Sequence, residues 1–341
     1  WRGTVWLTTR SSSHPLKTGS KLPDISKINA LAIGSVSKVD GLAKASILDI
    51  DGVAVPSAVA PPLDTYTGAA AAYSVRLLRT AYTGDIMRVR RDSDNVEADV
   101  GFDSNNEFGL TSPVSNPSSG GPFTDFADFI GHGGTPANGF CRYWYDQSGN
   151  AVDAGQATQT SQPKIYDSST GIIEEGATGK EKPALDFDGT NDFFDVPSTQ
   201  WSNGQMFASM VLARDGGGSY YWTSNANIFS LLYTAAINNF IAWQLTPIQI
   251  IYNQPFIGQK LVSGEVTPTD YTLYEDGSSV VTSGTYTGTM SSSSTNAFIG
   301  QKPNATNRHD GKFQELIHWP SDKSSNRTDI EDNLNGHFQI Y

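Results

Sequence analysis

Met206-Phe-Ala-Ser-Met-Val-Leu212 is apolar at almost every position and is rich in residues that suit a pleated strand. Such a run predicts a central strand covered on both faces, as in a packed sandwich. Working outward, short β-rich runs are predicted at 140–145, 184–187, 206–213, 240–245, 271–274, 297–299 and 314–319, separated by clusters of Gly, Asn, Asp and Ser. Asp276-Gly277 sits between Tyr271-Thr-Leu-Tyr274 and Val280-Val281, where it can close a hairpin. Asp188-Gly189, followed by Asp192, predicts a corner held by carboxylate side chains. Two helices are predicted, over 69–81 with Leu77, Leu78 and Ala81 on one face, and over 326–335 with Ile330 and Leu334 one turn apart.

Upstream lies an 11-residue repeat in three copies: Ser26-Lys-Ile-Asn-Ala-Leu-Ala-Ile-Gly-Ser-Val36, Ser37-Lys-Val-Asp-Gly-Leu-Ala-Lys-Ala-Ser-Ile47 and Leu48-Asp-Ile-Asp-Gly-Val-Ala-Val-Pro-Ser-Ala58. Asp-Gly between apolar residues reads as two short extended pieces joined by a tight turn. The competing reading, an amphipathic helix, is opposed by the recurring Asp40-Gly41 and Asp51-Gly52. A unit so short cannot bury its own apolar side, so Ile28, Leu31, Val39, Leu42, Ile50 and Val53 are expected to pack on neighbouring copies or other subunits. The organisation expected is an arm over 1–25, the repeats as an assembly region over 26–58, a Pro-rich linker over 59–69 and a β-sandwich over 70–341.

Composition narrows the function. Of 341 residues only 17% are charged, the net charge is −12, and 33 Gly with 17 Pro suit a turn-rich β protein. An acidic chain without a Lys/Arg cluster would repel phosphate, so no nucleic-acid partner is expected. The longest apolar runs fall far short of the roughly 20 residues that span a bilayer, so no membrane partner is expected either. A single cysteine, Cys141, excludes an internal disulfide and a paired-cysteine zinc site. The five histidines form no metal-ligand spacing, Ser148 lacks a nucleophile-elbow context, and no phosphate-binding glycine motif is present.

Several segments carry a family resemblance. Ala72-Tyr-Ser-Val-Arg-Leu-Leu78, Tyr82-Thr-Gly84 and Met87-Arg-Val-Arg-Arg-Asp-Ser-Asp94 resemble a block of concanavalin A-like sandwich domains in tailed-phage virion proteins. With Trp144-Tyr-Asp-Gln-Ser-Gly-Asn150, the block is also similar to the catalytic domain of secreted α-L-arabinofuranosidases. Leu185-Asp-Phe-Asp-Gly-Thr-Asn-Asp-Phe193 and Phe298-Ile-Gly300 resemble laminin-G-like sandwiches more generally. The resemblance implies an all-β fold, a concanavalin A-like jelly-roll sandwich preceded by the repeat-containing assembly region. It also implies an acid/base Asp where this chain has Asn304, and a nucleophilic Glu in a segment that here, over 214–225, contains none. Asn cannot donate and recover a proton as a carboxyl group does, so a chain that is not an enzyme is expected.

The expected function is therefore a structural virion protein, a fibre or surface appendage on the virion exterior whose lectin-like domain touches host-surface polysaccharide. A homotrimer and contact with other virion proteins are expected from the repeats. The alternatives are a glycoside hydrolase or depolymerase with another carboxylate pair, such as Asp215 with Asp310, and a decoration protein without glycan binding. Tyr220, Tyr221 and Trp222, beside three glycines, would make an aromatic platform for sugar rings, with Asn225 and Asn227 reading hydroxyls. Asp146, Asn150, Asp188 and Asp192 supply oxygens that suit Ca²⁺, although they also suit turns without metal; no other cofactor is expected.

Overall fold

The computed structural model describes residues 59–201, 205–216, 219–224, 229–233, 240–245, 248–253, 258–267, 271–283, 293–301 and 308–341, with the backbone of six two-residue strands between 27 and 54. The chain divides into two units, Trp1–Val59 and Ala60–Tyr341.

In the first unit each repeat is a hairpin. Lys27–Ile28 pairs with Leu31–Ala32, Lys38–Val39 with Leu42–Ala43, and Asp49–Ile50 with Val53–Ala54, all antiparallel. The register is the same each time and places Ile28 opposite Leu31, Val39 opposite Leu42 and Ile50 opposite Val53. Between the paired strands the sequence has Asn29-Ala30, Asp40-Gly41 and Asp51-Gly52, a composition that suits two-residue hairpin turns.

The second unit is an all-β sandwich. In one sheet the long strand Asp310–Trp319 is flanked on one side by Met206–Arg214 and on the other by Leu185–Asp188 and Ala71–Ser74. Met206–Arg214 continues to Gly258–Val266, Tyr271–Glu275 and Ser278–Ser283. Met206 to Ala213 are all buried, as the run predicts. The other sheet runs from Glu97–Val100 through Met87–Arg91, Gly139–Trp144, Ala154–Gly155, Phe194–Trp201 and Ser293–Ile299 to Ser219–Ser224 and Phe229–Tyr233. Lys164–Asp167 pairs with Gly139–Trp144 and with Leu185–Asp188, joining the two sheets at one rim. Trp144, Trp222, Trp319, Tyr73 and Phe126 are among the largest fully buried side chains of this unit. The C-terminal helix Arg327–Phe338 buries Ile330, Leu334 and Phe338, extending the predicted one-turn pair by a further turn.

Two expectations are corrected. The segment 69–81 is not a helix: Ala71–Ser74 is a fully buried strand paired with residues 315–318, because the sheet edge offers its backbone partners that outweigh alanine's helical preference. The stretch 59–69 is not a free linker either. Pro62–Thr65 forms a short helix whose Leu63 is buried, with the Leu63 N–H donating to the Leu78 carbonyl at 2.9 Å. The Asp64 carboxylate accepts from Thr80 N–H at 2.9 Å and from its hydroxyl at 2.5 Å. Prolines that look like linker composition here start a helical turn.

Candidate functional site

Alternation along Leu185-Asp-Phe-Asp188 turns Leu185 and Phe187 into the core and leaves Asp186 half-buried and Asp188 exposed on the opposite face. Register places Lys164 and Lys312 on either side of Asp186, and Asp310 opposite Asp188. The result is a row of alternating charge, Lys164, Asp186, Lys312, across three strands. Lys312 Nζ lies 2.7 Å from Asp215 Oδ2 and 3.9 Å from both Asp186 Oδ1 and Glu175 Oε2. Burial raises the pKa of both Asp186 and Glu175, and Lys312 opposes that rise.

The corner after this strand builds the most perturbed group. Asp188 Oδ1 accepts from the N–H groups of Thr190 and Asn191 at 2.8 and 3.1 Å, and Gly189 takes a positive φ of 70°. Asp192 Oδ2 accepts from Asp188 N–H at 3.0 Å, so the turn folds its carboxyl inward, where 6% remains exposed. Burial pushes the Asp192 pKa up to about 7; Asp188 and Asp186 add to the rise, while the Asp188 N–H and Lys164 hold it back.

Asp186, Asp188 and Asp192 share a cleft of about 520 Å³ with Arg90, Asn95, Phe140 and Gln162. Arg90 is buried and donates to Gln162 Oε1 at 2.8 Å and Asn95 Oδ1 at 2.9 Å, with its guanidinium 4.8 Å from the Phe140 ring centre. A second cleft of about 430 Å³, lined by Asp167, Ser169, Thr170, Ile172, Glu174 and Lys312, also has Asp186 in its wall. An acid that keeps its proton near neutral pH beside further carboxyl groups can protonate a leaving oxygen.

Of the residues expected to bind glycan, Trp222 has a described side chain. Trp222 is fully buried, 5.9 Å from the His318 ring, so its face is turned to the core and not to a ligand. Tyr220 and Tyr221 belong to the strand Ser219–Ser224, but their side chains lie outside the described residues, as do Asn225, Asn227 and Asn304. The suggested pair Asp215 and Asp310 meets through the backbone, Asp215 N–H donating to the Asp310 carbonyl at 2.9 Å, while the Asp215 carboxylate turns to Lys312.

The four residues suggested for calcium fall into two separate turns. Asp146 is buried and accepts from Ala72 N–H, Ser148 N–H, the Ser148 hydroxyl and Val152 N–H at 2.9, 2.9, 2.6 and 3.3 Å. Asn150 Nδ2 donates to the carbonyls of Ala69 and Ala70. Between them Gln147 accepts from Leu78 N–H and donates to the carbonyls of Ser74 and Arg76. The most specific motif in the sequence thus fastens the strand Ala71–Ser74 and the chain on either side of it. Asp188 and Asp192 sit in their own corner, and no group of three or more His, Cys, Asp or Glu side chains that could hold a metal occurs among the described residues.

Sequence reasoning missed Asp186 and Lys312, and it gave Asp192 a metal-binding role. The signal was present in the alternating Asp186 and Asp188 of an otherwise apolar strand, a polar face at period two.

No family model and no curated protein matches this chain. Its structure is similar to solved arabinofuranosidase structures. One, a GH54 α-L-arabinofuranosidase soaked with a cyclic sulfate inhibitor, aligns with a TM-score of 0.60 at 13% identity. Another, an arabinofuranosidase complexed with arabinofuranosyl-α-1,2-xylobiose, aligns with a TM-score of 0.58 at 15% identity. Each alignment covers 82% of this chain and 65% of the other, so the chain spans just under two thirds of the length of those enzymes. The expectation of a chain that is not an enzyme is overturned by this finding: the fold is one that glycoside hydrolases carry, and the argument from two lost carboxylate positions overlooked the carboxyl groups clustered elsewhere on it. None of these comparisons bears on a virion or lectin role, and what they establish is the fold, an all-β sandwich shared with arabinofuranosidases.

Proposed function

We propose that the sandwich is a glycoside hydrolase, with Asp192 as the general acid and Asp186 as the second carboxylate. The observation that carries this is Asp192: a carboxyl group in a cleft wall, with its proton retained up to about pH 7, beside Asp186 and Asp188. Glycosidic cleavage in most families needs one protonated and one ionised carboxyl flanking the bond. Burial raises the Asp186 pKa and Lys312 and Lys164 oppose that rise; in its ionised form Asp186 would activate water or stabilise the developing positive charge. Arabinofuranosyl-substituted xylan is the first substrate to try, since the similar enzymes include one complexed with arabinofuranosyl-α-1,2-xylobiose. The catalytic groups would then differ from those implied at Asn304 and over 214–225.

Release of reducing sugar from arabinoxylan tests the proposal. Asp192→Asn and Asp186→Asn each keep the side-chain size and are expected to lower kcat by about 10²–10⁴-fold. Wild-type activity is expected to fall as pH rises through about 7, where Asp192 loses its proton. Unaltered sugar release by both variants would overturn the assignment. A second reading is favoured by the three hairpins of identical register: the same sandwich carried on a virion-surface assembly, there cleaving or holding host polysaccharide.

A further inference from the structure

Asp186 forms part of the wall of both clefts. On one side lie Asp192 and the Arg90–Phe140 wall; on the other, Ile172 and Ile173 offer apolar surface while Ser169, Thr170 and Glu174 offer hydroxyl and carboxylate groups. Each lobe falls within the 300–1,000 Å³ typical of a small-molecule site. Strand pairing fixes the boundary between them, because Lys164, Asp186 and Lys312 sit side by side on adjacent strands. The ion pair of Lys164 with Asp167, at 3.0 Å, ties the edge of the second lobe to the same row.

The geometry points to a polymeric substrate: a glycan chain lying across the Lys164–Asp186–Lys312 row, with sugar units in both lobes and the cut bond over Asp186. This deepens the reading of Asp192 and Asp186 as the hydrolytic pair and rests on it. A pocket for one terminal sugar would place its carboxylates at a closed end, whereas here the second carboxylate stands in the wall between two clefts, one on each side of the charged row. Apolar isoleucine surface suits ring faces, and the hydroxyls and carboxylate of the second lobe suit ring hydroxyls. Binding in a lobe remote from the cut bond contributes to transition-state stabilisation, so it is read in kcat/KM and not in affinity alone.

The test compares arabinofuranosyl-substituted xylobiose with arabinofuranosyl-substituted xylohexaose. Wild-type kcat/KM is expected to be at least about tenfold higher on the longer substrate, the equivalent of one sugar-binding lobe filled. Thr170→Trp places a bulky ring at an exposed position in the second lobe and is expected to bring that ratio towards one. Thr83→Trp, on the exposed loop of a separate cleft lined by Tyr82 and Tyr145, is expected to preserve the ratio; thermal midpoints confirm that both variants fold. Equal kcat/KM on the two substrates, or a ratio untouched by Thr170→Trp, overturns the inference and leaves the hydrolytic pair standing. Failure of the wild type to cleave either substrate, or any arabinoxylan, overturns both.

Discussion

Glu315 is fully buried, and its oxygens receive Arg76 Nε at 2.7 Å, Arg76 Nη2 at 3.0 Å and the Ser74 hydroxyl at 2.8 Å. Arg76 Nη2 also donates to Asn333 Oδ1, tying the first strand region to the C-terminal helix. Removing one partner of such a pair leaves an uncompensated buried charge, so Arg76→Met is expected to lower the unfolding free energy by about 3–5 kcal/mol in denaturant titration. Replacing both residues with Met should recover much of that loss. Asp192 makes the opposite kind of prediction. It binds its proton more tightly folded, at about 7, than unfolded, at about 3.9. Its contribution is therefore fully present below about pH 4 and is lost as pH rises through about 7. Asp192→Asn should match the wild type near pH 4 and exceed it above pH 8 by up to about 4 kcal/mol, measured as unfolding free energy against pH. A variant whose advantage shrank with rising pH would contradict the burial of that carboxyl.

At the scale of elements, local chemistry and long-range pairing divide the structure between them. The Asp276-Gly277 hairpin was legible in the chain: Glu275 pairs with Ser278 across it, and both turn residues take positive φ, 48° and 76°. Asp276 further accepts from Leu261 N–H at 3.1 Å and pairs with Lys260 at 2.6 Å, which fastens the turn to the neighbouring strand. Gly277→Val forces a β-branched residue into a left-handed conformation and is expected to cost about 1–2 kcal/mol in chemical denaturation, with no change in the strand register seen by amide exchange. The central strand, the long final strand and the C-terminal helix were equally legible, because apolar periodicity reports their burial directly. Ala71–Ser74 was not. An alanine-rich run looks helical until the open side of residues 315–318 is known, and that edge is contributed from more than 200 residues downstream. The Asp146-Gln147-Ser148-Gly149-Asn150 string was visible as a motif, but its role as a staple depends on carbonyls and N–H groups near residues 69–78.

The whole molecule consists of a unit of repeated hairpins and a sandwich with its own core, running from Leu63 to Phe338. A chain of residues 60–341 is expected to show the same thermal transition as the full chain, by calorimetry, because its core residues all lie within it. We propose that the hairpins hold copies of the chain together; the full chain should then have a multimeric native mass by sedimentation, and 60–341 the mass of a monomer. A monomeric full chain would remove that role from Ile28, Leu31, Val39, Leu42, Ile50 and Val53. By itself the sequence determined the all-β class, the central strand, the Asp276-Gly277 hairpin and the paired short strands of the repeats, since these follow from periodicity and turn chemistry within about ten residues. Only the tertiary structure decided that Asp192 is buried, that Asp186 stands between Lys164 and Lys312, and that Trp222 faces the core. Desolvation and cross-strand register are set by segments distant in the chain, so the acid in the groove becomes recognisable only once the two sheets have closed over their core.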